Sequence, residues 1–214
     1  MPQLVVFDLD GTLADSHEAI VQSFLYAVED VQLPPVSPAE VTSLIGLPLT
    51  RMFEIVAPEV HPDTRQAAIA SYKGIYLRMD RLYGAVFRDA IDLVRDLHQR
   101  GDALAIATSK SQSGVERFVR ENDLGPCFEI LISNDSVTRP KPHPEMLRLI
   151  TQHTGIETGL MIGDSTYDIE MGCRAGFATC GVTWGTHDAA RLRAAGATTV
   201  AETVADLREV LDAT

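Results

Sequence analysis

The sequence predicts an α/β protein that has a Rossmann-like parallel sheet core and an inserted α-helical cap domain. Short apolar runs rich in β-branched residues, each bounded by glycine or polar residues, indicate strands that are buried on both faces. Helical patterns separate the later runs, and this alternation is typical of a parallel sheet with right-handed crossovers. A long stretch without a convincing strand follows the first run, and it indicates the helical insertion.

The predicted strands of the core recur mainly in the second half of the chain. They span 4–7, 103–107, 128–132, 159–163 and 178–182, with a weaker candidate at 198–200. The predicted helices of the core span 88–100, 111–122, 144–153, 167–175, 187–195 and 203–212. The glycines that stand near the ends of these patterns, as is common at helix C-termini, are Gly101, Gly125, Gly155, Gly176 and Gly196.

Residues 16–82 are predicted to form the cap domain, and residues 1–15 together with 83–214 the core domain. Cap helices are expected at 17–31, 38–45, 48–57 and 62–80, with prolines between them. Asp15 and Glu18 have the spacing of a capping box at the first of these helices. An insertion directly after the first strand lies above the carboxyl edge of the sheet, where open parallel sheets bind their ligands.

The charge balance limits the classes of partner. The 214 residues include 30 acidic and 18 basic side chains, which gives a formal net charge of -12. Such a surface repels polyanions, so nucleic acid and anionic membranes are disfavoured as main partners. Any phosphate-bearing ligand must therefore be held by local cations.

Cysteine usage and hydropathy favour a cytoplasmic location. Cys127, Cys173 and Cys180 form no CxxC pair and are odd in number, which disfavours a disulfide framework or a zinc cluster. The apolar stretch at 4–7 is too short for a signal-peptide core, and no later stretch is long enough to span a bilayer.

Two acidic motifs follow predicted strands. The motif DLDGTLADS comes directly after the first strand, so Asp8 and Asp10 leave the carboxyl edge two positions apart and can point the same way. The motif GDSTYD follows a later strand, and its Asp164 and Asp168 lie about one helical turn apart. Taken alone, each motif fits a turn or a helix cap as well as it fits a functional site.

A hydroxyl and a lysine follow other strands in the same manner. Thr108 comes after the strand at 103–107, where helix capping is the ordinary explanation for a hydroxyl. Lys141 lies between two prolines at the entry to a predicted helix, where a solvated lysine would be ordinary. Because each of the four segments follows a buried strand, all of them can meet at one edge of the sheet.

Together these segments supply carboxylates, a hydroxyl and an ammonium group. Carboxylates that lie close to one another repel unless a cation sits between them. Mg²⁺, which prefers oxygen ligands, suits this set better than zinc, which prefers His or Cys. The sequence therefore predicts a Mg²⁺ site among the acidic residues of the two motifs.

The chain resembles the haloacid dehalogenase superfamily, in its phosphatase branch with a helical cap, and within it the phosphoglycolate phosphatase-like group. DLDGTLADS and GDSTYD, in this order around a threonine and a lysine, form a specific combination, and the match covers essentially the whole length. The resemblance implies a Mg²⁺-dependent phosphatase that hydrolyses a small phosphorylated metabolite through an aspartyl phosphate. The enzyme would be a monomer or a homodimer.

The resemblance also implies roles for the motif residues. Asp8 would be the nucleophile and Asp10 the general acid and base, for which a raised pKa is expected from the nearby carboxylates. Thr108 would bind a phosphoryl oxygen, and Lys141 would neutralise charge on the nucleophile and the phosphate. The implied metal ligands are Asp8, Asp10 through its backbone carbonyl, Asp164 and Asp168, the last directly or through water.

Substrate contacts are expected from the segment that follows the strand at 103–107 and from the cap. The turn IGLPLTR resembles the substrate-specificity loop of the family, and Arg51 in it is a candidate anion clamp. The other candidates for substrate binding are Thr108, Ser109, Lys110 and His17. His143 is interpreted as part of the turn that enters the next helix, because carboxylates already fill the metal and acid-base roles.

The sequence is also compatible with two other functions. A sugar-phosphate mutase similar to beta-phosphoglucomutase would use the same aspartate pair, although its relatives usually have Val or Ile where this chain has Thr12. A regulatory protein that binds a phosphorylated metabolite without turnover would keep the site, but the complete set of polar residues favours catalysis. Compounds such as 2-phosphoglycolate, inorganic pyrophosphate, sugar phosphates and nucleotides all match these motifs.

Overall fold

A six-stranded parallel sheet forms the centre of the molecule, which a computed structural model describes for residues 3–213. Its strands are β1 (Leu4–Phe7), β4 (Ala103–Ala107), β5 (Ile130–Ile132), β6 (Leu160–Gly163), β7 (Ala178–Val182) and β8 (Thr199–Ala201). They are ordered β5-β4-β1-β6-β7-β8, and every pairing is parallel. The predicted fold class is confirmed.

The helices of the core follow the strands in alternation. They are α5 (Arg88–Arg100), α6 (Gln112–Glu121), α7 (Glu145–Thr154), α8 (Thr166–Ala175), α9 (Ala189–Ala194) and α10 (Val204–Asp212). Three of them, α5, α7 and α8, end at a glycine with positive φ, and these are Gly101, Gly155 and Gly176. Such residues satisfy the last carbonyls of a helix without a Cβ penalty.

Each strand of the sheet buries side chains on both faces. Val5 and Phe7 point into a cluster with apolar residues of α5, α6 and α10, whereas Leu4 and Val6 point into a second cluster with α7 and α8. This two-sided burial explains why the strands are continuous apolar runs in the sequence.

The topology fixes where a ligand can bind. After β1, the chain builds the sheet outward through β4 and β5, then returns to the other side of β1 and adds β6, β7 and β8. The strand order therefore reverses at β1, and open parallel sheets bind ligands beyond the carboxyl ends of the strands at such a point. Asp8 follows β1 directly.

Four helices follow β1 in the chain before α5, and we call them the α1–α4 segment. They are α1 (His17–Asp30), α2 (Pro38–Ser43), α3 (Leu49–Val56) and α4 (Pro62–Tyr83). These helices share an apolar cluster that is separate from the two clusters of the sheet. At its centre the rings of Phe24 and Phe53 stack with their centroids 4.1 Å apart. The assignment of 16–82 to a cap domain stays a prediction, and residues 1, 2 and 214 of the predicted core lie outside the described residues.

Two local predictions about this segment were wrong. A short antiparallel pair, β2 (Ala14–Asp15) with β3 (Ala85–Val86), joins its two ends, although no strand was expected there. The strands have two residues each, which is too short for a periodic signal. The capping box of Asp15 and Glu18 is absent, because Ser16 is the N-cap residue and its hydroxyl bonds Asp10 instead of the helix backbone.

Within residues 3–213, no helix combines the length and the apolar character needed to cross a membrane.

Two glycines in helices give opposite predictions for the same substitution. In α8, a Cβ on Gly172 would lie 2.4 Å from Thr179 Cγ2 and 3.2 Å from Met161 Cβ, whereas in α4 Gly74 has nothing within 4 Å. We expect Gly172→Ala to lower the free energy of unfolding by about 1–3 kcal/mol through overpacking. Gly74→Ala should raise it by about 0.4–1 kcal/mol.

Urea denaturation of both variants checks this pair. A Gly172→Ala protein as stable as the wild type would mean that α8 does not pack on the sheet as closely as described.

Candidate active site

The carboxyl edge of the sheet brings the four sequence motifs together. Asp8 follows β1, Thr108 follows β4 and Asp164 follows β6, and all three side chains are buried. Lys141 reaches them from the loop before α7. Carboxylate oxygens of Asp8, Asp164 and Asp168 all lie within 4.8 Å of one another.

Lys141 is the buried cation of this cluster. Its ammonium group lies 2.7 Å from Asp8 Oδ1 and 2.5 Å from Asp168 Oδ1, and its side chain is 0% exposed. Burial alone would lower the pKa of Lys141, but the two carboxylates outweigh it and raise the pKa. Lys141 is therefore charged and is not the solvated lysine that its position in the sequence would ordinarily suggest.

Asp168 is fully engaged by donors of the protein. Its Oδ1 accepts from Lys141, and its Oδ2 accepts from the Ser165 backbone N–H at 3.0 Å and the Ser165 hydroxyl at 2.6 Å. The bond from the Ser165 backbone N–H belongs to the capping box of α8. Asp168 thus caps the start of α8 and holds the lysine at the same time.

Asp164 is oriented by two donors from different loops. Thr186 N–H donates to its Oδ2 at 2.7 Å, and the Thr12 hydroxyl donates to its Oδ1 at 3.2 Å. Burial and the neighbouring charge of Asp168 raise the pKa of Asp164 to about 6, although the bonds from Thr186 oppose the shift. The position carries an excess of negative charge that these hydrogen bonds offset only in part.

Asp8 shows the same excess of negative charge. Burial raises its pKa well above the ordinary value, and Asp168 and Asp164 raise it further, while Lys141 acts in the opposite direction. Only Oδ1 of Asp8 receives a hydrogen bond within residues 3–213, and the residue lines a cavity. Oδ2 is therefore the oxygen that a ligand can reach.

Asp10 differs from the expectation of a raised pKa. Lys110 Nζ lies 2.7 Å from its Oδ1, and the Ser16 hydroxyl donates to the same oxygen at 2.6 Å. Burial acts to raise the pKa of Asp10, but the charge and hydrogen bond of Lys110 and the bond from Ser16 outweigh it and lower the pKa. The expectation was wrong because the nearest charged group to Asp10 is a lysine, not another carboxylate.

A cavity of about 720 Å³ opens above Asp8 and Asp10, between the sheet edge and the α1–α4 segment. Thr108, Ser109 and Lys110 line it from the side of the sheet. Thr108 Oγ1 accepts from Lys110 N–H at 3.2 Å, so its hydroxyl also shapes the local turn.

Three contacts beside the cavity hold the α1–α4 segment against the sheet edge. Lys110 Nζ lies 2.8 Å from the Tyr76 hydroxyl of α4, with the ammonium 4.7 Å from the ring centroid. On the same helix, Asp80 pairs with Arg117 of α6 at 2.8 Å. The third contact is the hydroxyl of Ser109, which donates to the Gly46 carbonyl at 2.6 Å.

Two candidates for substrate binding lie outside the cavity. Arg51 has a side chain that is 60% exposed and pairs with Glu54 one turn further along α3. His17 lies with Nε2 2.8 Å from Thr186 Oγ1, beside the loop that binds Asp164. His143 accepts the Glu145 N–H through Nδ1, as expected for a residue of the turn before α7.

Several residues of the site carried no signal in the sequence. Tyr76 is one of many apolar or aromatic positions along a long helix, and Thr186 donates through its backbone. Gly46 was noted only as part of a turn, but its φ of 101° and its contact with the sheet edge distinguish it. Ser16 and Thr12 lie inside the DLDGTLADS motif, which was the one available clue to them.

The chain matches known proteins along most of its length. The family model for haloacid dehalogenase-like hydrolases matches residues 5–182. The chain belongs to this family. The relative named "Probable phosphatase IndB" of Dickeya dadantii is 34% identical over 212 residues, covering 97% of this chain and 92% of the relative. The pyrophosphatase PpaX of Bacillus pumilus is 31% identical over 182 residues, covering 84% of this chain and 82% of PpaX.

A solved structure has the same fold. The structure described as a predicted phosphoglycolate phosphatase from Haemophilus somnus has a TM-score of 0.87 and covers 98% of both chains at 23% identity. Family membership and the relatives together identify this haloacid dehalogenase-like protein as a phosphoric ester hydrolase. The resemblance noted in the sequence is confirmed.

Gly46 gives a test of the contact between the α1–α4 segment and the site. A Cβ on Gly46 would lie 2.8 Å from Ser165 Oγ and 3.1 Å from the Tyr167 ring, and its φ is 101°. Gly46→Ala should therefore hold the segment away from the sheet edge, and we expect turnover of an activated aryl phosphate to fall about tenfold or more.

Gly101→Ala is the matched control, because Gly101 has a similar φ of 90° but nothing within 4 Å of a new Cβ. Both variants should lose stability through backbone strain. Only Gly46→Ala should lose turnover per folded molecule. Equal turnover in the two variants would contradict close contact at Gly46.

Proposed function

We propose that the protein is a Mg²⁺-dependent phosphatase that hydrolyses a small phosphorylated metabolite through an aspartyl phosphate on Asp8. The observation that carries the proposal is the buried cluster of Asp8, Asp164 and Asp168 around one ammonium group, open to a cavity at Asp8. Four acidic or basic side chains buried at one point serve a charged ligand better than they serve stability.

The residues fit a divalent cation. Three buried carboxylates face a single lysine, and the raised pKa values of Asp8 and Asp164 indicate that more positive charge is needed to keep both ionised. All donors are oxygens, which suits Mg²⁺. Asp8, Asp164 and the Asp10 carbonyl would hold the ion, which when bound would offset charge on the phosphate and the nucleophile.

Asp168 supports this centre indirectly in our proposal. Both of its oxygens already accept hydrogen bonds from Lys141 and Ser165. Its part is to keep Lys141 aimed at Asp8, and any contact with the metal would pass through water.

The reaction begins with attack of Asp8 Oδ2 on the phosphorus of the substrate. Lys141 keeps Asp8 ionised and, with the Thr108 hydroxyl, stabilises charge on the phosphoryl oxygens. The leaving oxygen takes a proton from Asp10, which later accepts one from the water that hydrolyses the aspartyl phosphate.

Asp10 can carry that proton only after its pairing with Lys110 is loosened. Lys110 lines the cavity, and its ammonium group donates hydrogen bonds to both Asp10 and Tyr76. We propose that the phosphate of the substrate draws Lys110 away from Asp10. The α1–α4 segment would act as the cap that excludes water during this step and opens for product release.

Hydrolysis is favoured over the mutase alternative by the relatives, which are named for phosphatase and pyrophosphatase activity. No contact that residues 3–213 make in the cavity favours a second function.

Mg²⁺ binding can be measured without turnover. We expect millimolar Mg²⁺ to raise the melting temperature of the wild type by roughly 5 °C, because an ion that binds only the folded state stabilises it. Asp164→Asn should lose most of this shift. Asp63→Asn is the control, because the Asp63 side chain is 92% exposed and does not belong to the acidic cluster.

An equal shift in Asp164→Asn and Asp63→Asn would mean that Mg²⁺ binds elsewhere. No shift in the wild type would remove the metal from the proposal.

The covalent intermediate distinguishes the two aspartates of the first motif. Asp8→Asn should form no phosphoenzyme with an activated aryl phosphate, because the attacking oxygen has lost its charge. Asp10→Asn should still be phosphorylated by this substrate, which needs little protonation of its leaving group, and should release phosphate slowly. Rapid acid quench followed by intact-mass measurement detects both species.

A covalent phosphate in Asp8→Asn, or one mapped to another residue of the wild type, would refute the nucleophile assignment even if the protein hydrolysed phosphate esters.

A further inference from the structure

The cavity has a polar floor and an apolar roof. Asp8, Asp10 and Thr108 belong to the floor, where the phosphate would lie. The roof comes from the α1–α4 segment, and its apolar and aromatic residues include Ile45, Leu47, Met52, Tyr72, Tyr76 and Leu77. A third side of the cavity, near α6, is polar and includes Ser113, Glu116 and Asp135. The part of the leaving group that lies against the roof therefore faces hydrocarbon and aromatic rings.

The size of the cavity indicates a leaving group larger than the phosphate itself. Its volume of about 720 Å³ lies within the roughly 300–1,000 Å³ that is usual for pockets of drug-sized ligands. A compound of two or three carbon atoms would leave most of the roof in contact with water.

The cations around the cavity are engaged or lie at its rim. Lys110 pairs with Asp10, and Arg117 pairs with Asp80. The remaining cations that line the cavity, Lys73 and Arg120, are exposed. Arg51, the sequence-based candidate for an anion clamp, pairs with Glu54 at the surface. An anionic leaving group under the roof would be desolvated without a buried cation to pair with it, which is costly.

Two of the polar atoms left free on the lining are neutral. Asn134 Oδ1 is buried and has no hydrogen-bond partner within residues 3–213. The hydroxyl of Tyr72 likewise has no partner in this part of the chain, and its ring stacks on that of Tyr76 at 5.6 Å. A flat ring that carries a neutral polar group would satisfy this lining.

We infer that the preferred substrate is a phosphate monoester whose leaving alcohol is uncharged and carries an aromatic or other flat apolar ring. The inference rests on the proposed phosphatase function and narrows its substrate class. It sets the protein apart from enzymes that act on small polyanions such as pyrophosphate.

Three phosphate esters of primary alcohols test the inference, because the oxygen that leaves is bonded to a primary carbon in each. They are ethyl phosphate, 2-phenylethyl phosphate and 2-phosphoglycolate, compared by kcat/KM with Mg²⁺ present. We expect 2-phenylethyl phosphate to exceed each of the others by about tenfold or more, because only its ring is buried against the roof. A value for 2-phosphoglycolate that equals or exceeds that of 2-phenylethyl phosphate would overturn the inference.

Failure of the inference differs from failure of the proposed function. If 2-phosphoglycolate or pyrophosphate is the best substrate, the protein is a phosphatase and the apolar substrate class is wrong. If none of these compounds and no activated aryl phosphate is hydrolysed, the proposed function is wrong, and the inference falls with it.

A matched pair of variants on α4 tests whether the roof determines the preference for 2-phenylethyl phosphate. Leu77 lines the cavity and is 50% exposed, whereas Leu82 is 62% exposed and does not line it. Leu77→Lys should lower the ratio of kcat/KM for 2-phenylethyl phosphate over 2-phosphoglycolate by about threefold or more. Leu82→Lys should leave the ratio unchanged, and an equal change in both variants would contradict a role of the roof in substrate choice.

Discussion

The ammonium group of Lys141, held between Asp8 and Asp168, is the interaction on which the site depends. It is the cation that offsets the three buried carboxylates at the carboxyl edge of the sheet, and it touches two of them. Removing one member of such a buried group typically costs about 3–5 kcal/mol, because the remaining charges lose their partner. The excess of negative charge destabilises the cluster when no further cation is bound. The same excess makes the cluster suited to a divalent cation that accompanies a phosphate.

The polypeptide backbone around the cluster is adapted to this crowding. Gly11 has a φ of 84°, and a Cβ on it would lie 2.1 Å from Asp164 Oδ2, so the glycine of DLDGTLADS is required for the second motif to approach the first. The roof of the cavity is joined to the floor through Lys110, which contacts both Asp10 and Tyr76. The position of the α1–α4 segment and the surroundings of Asp10 are therefore coupled through one side chain.

The sequence was sufficient for the sheet, its helices and the convergence of the motifs, because each motif follows a buried strand and parallel strands end at one edge. It was not sufficient for properties that depend on tertiary neighbours. The pKa of Asp10 is lowered by Lys110, a residue 100 positions away that reaches it only in the fold. Arg51 has the charge of an anion clamp and lies near a turn that resembles the substrate-specificity loop of the family. In the fold, however, its position on α3 exposes it to solvent, where it pairs with Glu54. The two-residue strands β2 and β3 have no period that a sequence pattern could reveal.

The most direct test of the account is a crystal structure of the protein grown with Mn²⁺ in place of Mg²⁺, with anomalous scattering used to locate the ion. The account predicts an anomalous peak in contact with the carboxylates of Asp8 and Asp164, with Lys141 still paired to Asp8 and Asp168. A structure at saturating Mn²⁺ that has no peak at this cluster, or has its ion bound only elsewhere, would contradict the claim that the four motifs form one metal and phosphate centre.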